Sequence, residues 1–187
     1  MEEDIKKACE MLSKGGIIVY PTDTIWGIGC DATNEEAVKK IYAIKQRADS
    51  KSMLVLLDSS AKLDYYISDF PDIALELIEL SDKPLTIIYS GAKNLASNLI
   101  AEDGSIGIRI TQESFSKELC RRFKKPIVST SANISGKPSP ANFSEIESAI
   151  TGTADYVVNY RRNDLTKSKP SSIIKLDTGG VVKIIRE

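Results

Sequence analysis

The alternation of apolar and polar positions divides this 187-residue chain into many short elements. Ile5, Ala8, Cys9 and Leu12 recur at helical spacing, which predicts a first helix ending before Gly15 and Gly16. Ile17 to Tyr20 reads as a buried strand. Asn34 has the character of an N-cap, and Ala37, Val38, Ile41, Tyr42 and Ile44 give the helix after it an apolar face. Met53 to Leu57 is a continuous apolar run, the mark of a buried strand. A short helix over Ser59 to Ile67 follows. A second helix has Pro71 in its first turn and Ile73, Ala74, Leu77, Ile78 and Leu80 as its buried side.

The second half repeats the alternation. Leu85 to Tyr89, Ser105 to Ile110 and Ile127 to Thr130 read as strands. Leu95 and Leu99 suggest a short helix, and Phe115, Leu119, Cys120 and Phe123 mark a longer one that Pro126 cannot continue. Ser144 with Glu147 forms the pattern of a capping box for a helix reaching Ile150. Three late strands are expected: Tyr156 to Val158, Ser172 to Leu176 and Val181 to Ile185. The last two are joined by a turn containing Thr178, Gly179 and Gly180, so they must pair antiparallel. Asn159 to Pro170 is the longest polar segment and reads as a loop. Strands and helices mix without clean βαβ alternation. The expected fold class is therefore α/β, one domain over residues 1–187 with a twisted mixed sheet and helices packed on it.

Composition narrows the chemistry. A formal net charge of −1 gives no overall attraction to nucleic acid or membranes. The chain has no histidine, which favours positioning and charge neutralisation over Ser-His or Cys-His catalysis. Cys9, Cys30 and Cys120 are far apart and form no CxxC pair, so neither a zinc site nor a disulfide framework is indicated. The acidic start, Met1-Glu2-Glu3-Asp4, is unlike a signal peptide, and no apolar run reaches membrane-spanning length. The expected location is cytoplasmic.

Two stretches concentrate polar groups at the end of a buried strand. In Pro21-Thr22-Asp23-Thr24, hydroxyls and a carboxylate follow Tyr20, and Gly27 and Gly29 come just after. That is where an α/β protein holds a ligand, but a turn joining two strands uses the same residues. In Ser129-Thr130-Ser131-Ala132-Asn133-Ile134-Ser135-Gly136, a strand runs into a density of donors that a turn seldom needs. Lys45-x-Arg47 suits an oligophosphate, although two cations at a helix end are common for dipole reasons alone. Arg109 lies in an alternating strand, from which it can hold a carboxylate, although a lone arginine there is more often a surface residue.

With both stretches in hand the chain resembles the YrdC family, the threonylcarbamoyl-AMP synthases. Tyr20 to Ala32 is similar to the family's opening motif, and Lys45-x-Arg47 with Ser131-x-Asn133 to its four-residue signature. Gly107-Ile108-Arg109, Pro170-Ser171-Ser172-Ile173-Ile174 and Ile185-Arg186 follow in the expected order, so the resemblance covers nearly the whole chain. It implies an open sheet around a central basic cleft. It also implies condensation of L-threonine, bicarbonate and ATP to threonylcarbamoyl-AMP and pyrophosphate, with Mg2+. The product feeds threonylcarbamoyladenosine formation in tRNA through a downstream transferase complex, with tRNA itself as a further partner. Carried over, Thr24, Arg109, Ser129 and Ser171 would hold threonine. Arg47, Lys51, Ser105, Ser131, Ser139 and Arg186 would contact ATP. Lys45, Arg47, Ser131 and Asn133 would form the catalytic signature, with no metal ligand assigned among the side chains.

The chain departs from the family pattern at Leu56, at Ser81-Asp82-Lys83 before Pro84, at Lys51-Ser52-Met53 and at Asn159-Tyr160-Arg161. It ends one residue after Arg186 and so resembles the family's short form. Competing readings are a non-catalytic module for double-stranded RNA or tRNA using the same cleft, a carbamoyl-transfer module, and a paralogue with a changed substrate.

Overall fold

A computed structural model describes residues 1–46 and 53–187. Arg47 and Lys51, two of the expected ATP contacts, lie outside the described residues. Nine strands form one mixed sheet in the order β7-β1-β2-β6-β3-β5-β4-β8-β9. These are β1 (Ile18–Tyr20), β2 (Gly27–Gly29), β3 (Leu54–Leu57), β4 (Leu85–Tyr89), β5 (Ile106–Ile110), β6 (Ile127–Ser131), β7 (Tyr156–Val157), β8 (Ser172–Leu176) and β9 (Val182–Arg186). The late strands separate. β7 runs parallel to β1 at one edge, and the antiparallel β8–β9 hairpin closes the other.

The helices are α1 (Glu2–Ser13), α2 (Glu35–Lys45), α3 (Leu63–Tyr66), α4 (Ile73–Leu80), α5 (Ser114–Phe123) and α6 (Ser148–Thr151). Their caps follow from sequence. Asn34 accepts a hydrogen bond from Ala37 N at the start of α2, and Glu113 accepts one from Ser116 N at the start of α5. The core forms where the periodic positions converge. Ile5, Ala8 and Leu12 of α1 and Phe115, Leu119 and Cys120 of α5 are all buried, together with Ile106 and Ile108 of β5. Because side chains alternate along a strand, burying Ile106 and Ile108 on the core face turns Ser105, Gly107 and Arg109 to the opposite one.

Gly29 shows why a glycine stands in the second strand. A Cβ there would lie 2.0 Å from the carbonyl oxygen of Val128, so no side chain fits where β2 crosses β6.

Two expectations are corrected. α4 does not bury its whole apolar set: Ala74 is buried, Leu77 and Ile78 are half-buried, but Ile73 and Leu80 are exposed, Leu80 by 78%. The sequence Ile-Ala-Leu-Glu-Leu-Ile-Glu-Leu is apolar at too many positions for one contact face. The Ser144–Glu147 capping box does not form either. Asn142 caps the turn Phe143–Glu145 through Ser144 N, and Glu145 reaches back to Ala141 N at 2.8 Å, so the motif sits two residues earlier. Glu147 pairs instead with Lys137 at 2.6 Å.

Candidate functional site

The face of the sheet that carries Ser105, Gly107 and Arg109 opens into a cavity of about 300 Å³. Its wall is built from strand ends. Ser129 and Ser131 come from β6, Thr86 and Ile88 from β4, Leu54 from β3, and Ser171, Ile173 and Arg186 from the β8–β9 end. The turn after β1 contributes Thr24 and Trp26, and Ser139 comes from the loop after β6. Gly107 keeps the floor flat: a Cβ there would lie 3.3 Å from Thr86 Cγ2 and 3.4 Å from Leu54 Cβ.

The turn settles what the sequence left open at Pro21 to Thr24, since it is both a turn and part of the wall. Thr22 does the folding. Its hydroxyl donates to the Ile25 carbonyl at 2.7 Å and accepts from Thr24 N at 3.1 Å. Thr24, 3.0 Å from the Thr22 hydroxyl, is thereby presented to the cavity. Trp26 is held from behind by Phe143, with ring centroids 4.8 Å apart.

Arg109 is 3% exposed. Its Nη2 lies 3.1 Å from Asp23 Oδ1. Burial pushes the Asp23 carboxyl above its ordinary range, against the opposing pull of Arg109. Asp23 is not among the sequence-assigned residues; its place in Thr-Asp-Thr, beside a residue that is, is the one signal that could have found it. Across the cavity Arg186 donates from Nε and Nη2 to the Ser171 carbonyl at 2.9 and 2.7 Å. Burial, then the neighbouring Arg109 charge, lowers its pKa. The Ser171 hydroxyl is 2.9 Å from Thr86 Oγ1, and Ser105 Oγ donates to Asp103 Oδ1 at 2.5 Å. Among the described residues the cavity's cations are Arg109, already paired, and Arg186.

Thr24, Arg109, Ser129, Ser171, Ser105, Ser131, Ser139 and Arg186 all line this one cavity. Lys45 and Asn133 do not. Lys45 is 1% exposed at the end of α2, and its ammonium donates to the backbone carbonyls of Ser131 and, at 2.7 Å, Asn133. The Asn133 side chain donates to the carbonyls of Ile134 and Lys137 at 3.1 and 2.6 Å. Leu56 pairs with Arg109 across β3–β5 but is fully buried, and Met53 and Leu54 supply that part of the wall instead. The Asn159 to Pro170 loop is fastened at its start. Tyr160 stacks on Phe115, and Arg161 bonds Asp164 and lies 3.6 Å from Glu113.

Among the described residues no group of His, Cys, Asp and Glu could hold a metal ion, and no helix is long and apolar enough to cross a membrane. The three cysteines are free, with burial pushing the thiols of Cys30 and Cys120 upwards.

A mixed α/β sheet that gathers serines, threonines and arginines on the wall of one cavity is the setting for the comparisons with known proteins. The chain belongs to the Sua5/YciO/YrdC family: the model of that family, described as telomere recombination, matches residues 10–187. Among curated relatives, a threonylcarbamoyl-AMP synthase of Pseudoalteromonas translucida is 33% identical over 161 residues, covering 84% of this chain and 86% of the relative. A putative threonylcarbamoyl-AMP synthase of Methanocaldococcus jannaschii is 36% identical over 98% of this chain and 87% of its own. The fold matches E. coli YciO with a TM-score of 0.86 at 24% identity, over all of this chain and 90% of YciO. It also matches P. abyssi Sua5 complexed with L-threonine, with a TM-score of 0.82 at 24% identity. That match covers 92% of this chain, which spans half the length of the P. abyssi protein.

Proposed function

We propose that this protein is a threonylcarbamoyl-AMP synthase, condensing L-threonine, bicarbonate and ATP for the modification of tRNA. One observation carries the reading: eight residues scattered from Thr24 to Arg186, assigned to two different substrates by motif alone, share one cavity. The curated relatives bearing that activity name, matched over most of their length, support it.

The chemistry fits the donors present. The threonine amine and bicarbonate form a carbamate with loss of water. A carbamate oxygen then attacks the α-phosphorus of ATP, and the P–O bond to pyrophosphate breaks. Arg109 faces the amino acid carboxylate, with Thr24, Ser129 and Ser171 around it. Arg186, Ser105, Ser131 and Ser139 face the nucleotide. The reaction gathers anions in one place, so preorganised cations and hydroxyls lower its barrier without needing a histidine. The wall offers hydroxyls and arginines rather than a carboxylate cluster, so Mg2+ would enter with the triphosphate, neutralising its charge.

The test is pyrophosphate release from ATP with threonine and bicarbonate each supplied or withheld. Release that requires all three is the expected result. No release under any mixture, alongside tight RNA binding, would instead support a non-catalytic RNA module. The sparse cations of the described cavity speak against that reading.

A further inference from the structure

The segment after β7, where the chain departs from the family pattern, grips the cavity wall from behind. Two successive arginines reach the turn between β1 and β2 by different routes. Arg161 donates from Nη1 to the Thr22 carbonyl at 3.4 Å, while its Nε and Nη2 hold Asp164 at 3.1 and 2.9 Å. Arg162 takes the longer route. Its Nε donates to the Val158 carbonyl at 2.8 Å and its Nη2 to the Val157 carbonyl, which fastens the guanidinium to β7. From there its Cζ lies 4.9 Å from the centroid of the Phe143 ring. Phe143 in turn lies against Trp26, with centroids 4.8 Å apart, and Trp26 lines the cavity. Arg162, Phe143 and Trp26 thus form a stack running from the edge of the sheet to the wall. A cation over a ring, and a ring tilted against a ring, both attract through the ring quadrupole. The main chain of Trp26 is pinned separately, since Ala132 N donates to its carbonyl at 3.0 Å. The backbone is therefore set by the exit of β6, and the indole by Phe143.

We propose that Arg162 and Phe143 are positioning residues that hold the indole of Trp26 as a wall of the threonine half of the cavity. The indole stands two residues after Thr24. A Cβ on the next residue, Gly27, would lie 3.3 Å from Ser129 Oγ. Trp26 is thus flanked by two of the residues assigned to threonine. Neither Arg162 nor Phe143 lines the cavity, so both act through Trp26. The inference rests on the synthase reading for its kinetic consequence, but the stack itself is independent of it.

Trp26 is the single tryptophan of the chain, so its fluorescence reports the stack without a label. The experiment compares Phe143→Leu and Arg162→Met with the wild type. The readouts are iodide quenching of Trp26 with and without L-threonine, KM for threonine and for ATP, and kcat for pyrophosphate release with Mg2+. Phe143→Leu removes the ring and keeps an apolar side chain. Arg162→Met removes the cation and keeps much of the length. If one variant fails to fold, the other carries the test. Both are expected to raise the KM for threonine about tenfold, the scale of one lost ring contact, with kcat and the KM for ATP within about threefold of wild type. Iodide is expected to quench Trp26 more strongly in both variants before threonine is added.

A threonine KM unchanged in the folded variants would overturn the proposal. So would a fall in kcat at unaltered KM, the mark of a general loss of active protein. A larger rise in KM for ATP than for threonine would put the indole in the nucleotide half and overturn the assignment. If the wild type releases no pyrophosphate from any mixture, the synthase reading fails. Quenching then decides the stack alone, and quenching equal to wild type in both variants would sink it.

Discussion

Two buried cations in this molecule look alike in composition and differ in what surrounds them. Lys45, at the end of α2, donates to two backbone carbonyls and is not part of the cavity wall. Arg109, in the middle of β5, is opposed by a carboxylate at 3.1 Å and forms part of the cavity wall. The ammonium of the first donates to carbonyls of the loop after β6. The second sits against one full charge on one side and open space on the other, so its remaining donors can meet a substrate anion. Burial alone therefore does not tell which of two cations stands in the cavity wall.

The sharpest way to break this comparison is Arg109→Ala. It removes the proposed carboxylate partner of threonine and leaves Asp23 as an uncompensated buried charge, a loss that costs about 3–5 kcal/mol in folded proteins. We expect kcat/KM for threonine to fall at least about a hundredfold, together with a lower melting temperature. Combining Arg109→Ala with Asp23→Asn should recover stability but not turnover, because it removes the orphaned charge without restoring the partner. Recovery of both would show that Arg109 only balances Asp23.

Arg186 is the next test, on the other side of the cavity. Its guanidinium is more exposed and is held by the Ser171 carbonyl, with no facing carboxylate among the described residues. Arg186→Ala should therefore leave stability nearly unchanged and raise the KM for ATP about tenfold, the low end of a charge-assisted hydrogen bond. A larger rise for threonine than for ATP would exchange the two halves of the cavity in our assignment.

The Asp23–Arg109 pair also has a pH signature. Burial raises the Asp23 carboxyl above its ordinary value of 3.8, so in the window between that value and the raised one the folded state binds more protons than the unfolded. Stability must then decline as pH rises through that window, and the cost of the buried charge is fully present above it. Asp23→Asn has no such proton to lose. The melting temperature of the wild type relative to Asp23→Asn should fall as pH rises from about 4 towards neutrality. A difference independent of pH would mean that Arg109 cancels the burial completely.

Much of the fold and most of the site are legible in the sequence for identifiable reasons. The alternation of Ile106 and Ile108 with Gly107 and Arg109 assigns faces without knowledge of the partners. The motifs name residues that proved to share a wall because strand ends converge there. The sequence cannot say whether a cation stands in the wall or behind it, since Lys45 reaches its carbonyls 86 and 88 residues away. Asp23 is hidden for a related reason. Its importance comes from one long-range partner, whereas its neighbours Thr22 and Thr24 advertise themselves by their density of hydroxyls. The capping motif was misplaced because Ser144 and Glu147 satisfy the same spacing as Asn142 and Glu145, and only the fold selects between them.

The smallest predicted effect applies the same logic to apolar residues. Leu80 and Phe115 both occupy helical positions that pattern alone would bury. Phe115 is fully enclosed under the sheet and stacks on Tyr160, whereas Leu80 is 78% exposed at the end of α4. Phe115→Ala should cost about 3–5 kcal/mol of unfolding free energy through lost contacts and a cavity. Leu80→Ser should change it by no more than about 0.5 kcal/mol, as at an ordinary surface position, in denaturant melts of the two variants. A cost above about 1 kcal/mol for Leu80→Ser would mean that this end of α4 is covered in solution. Its apolar character would then reflect a contact with another surface rather than an overly apolar helix.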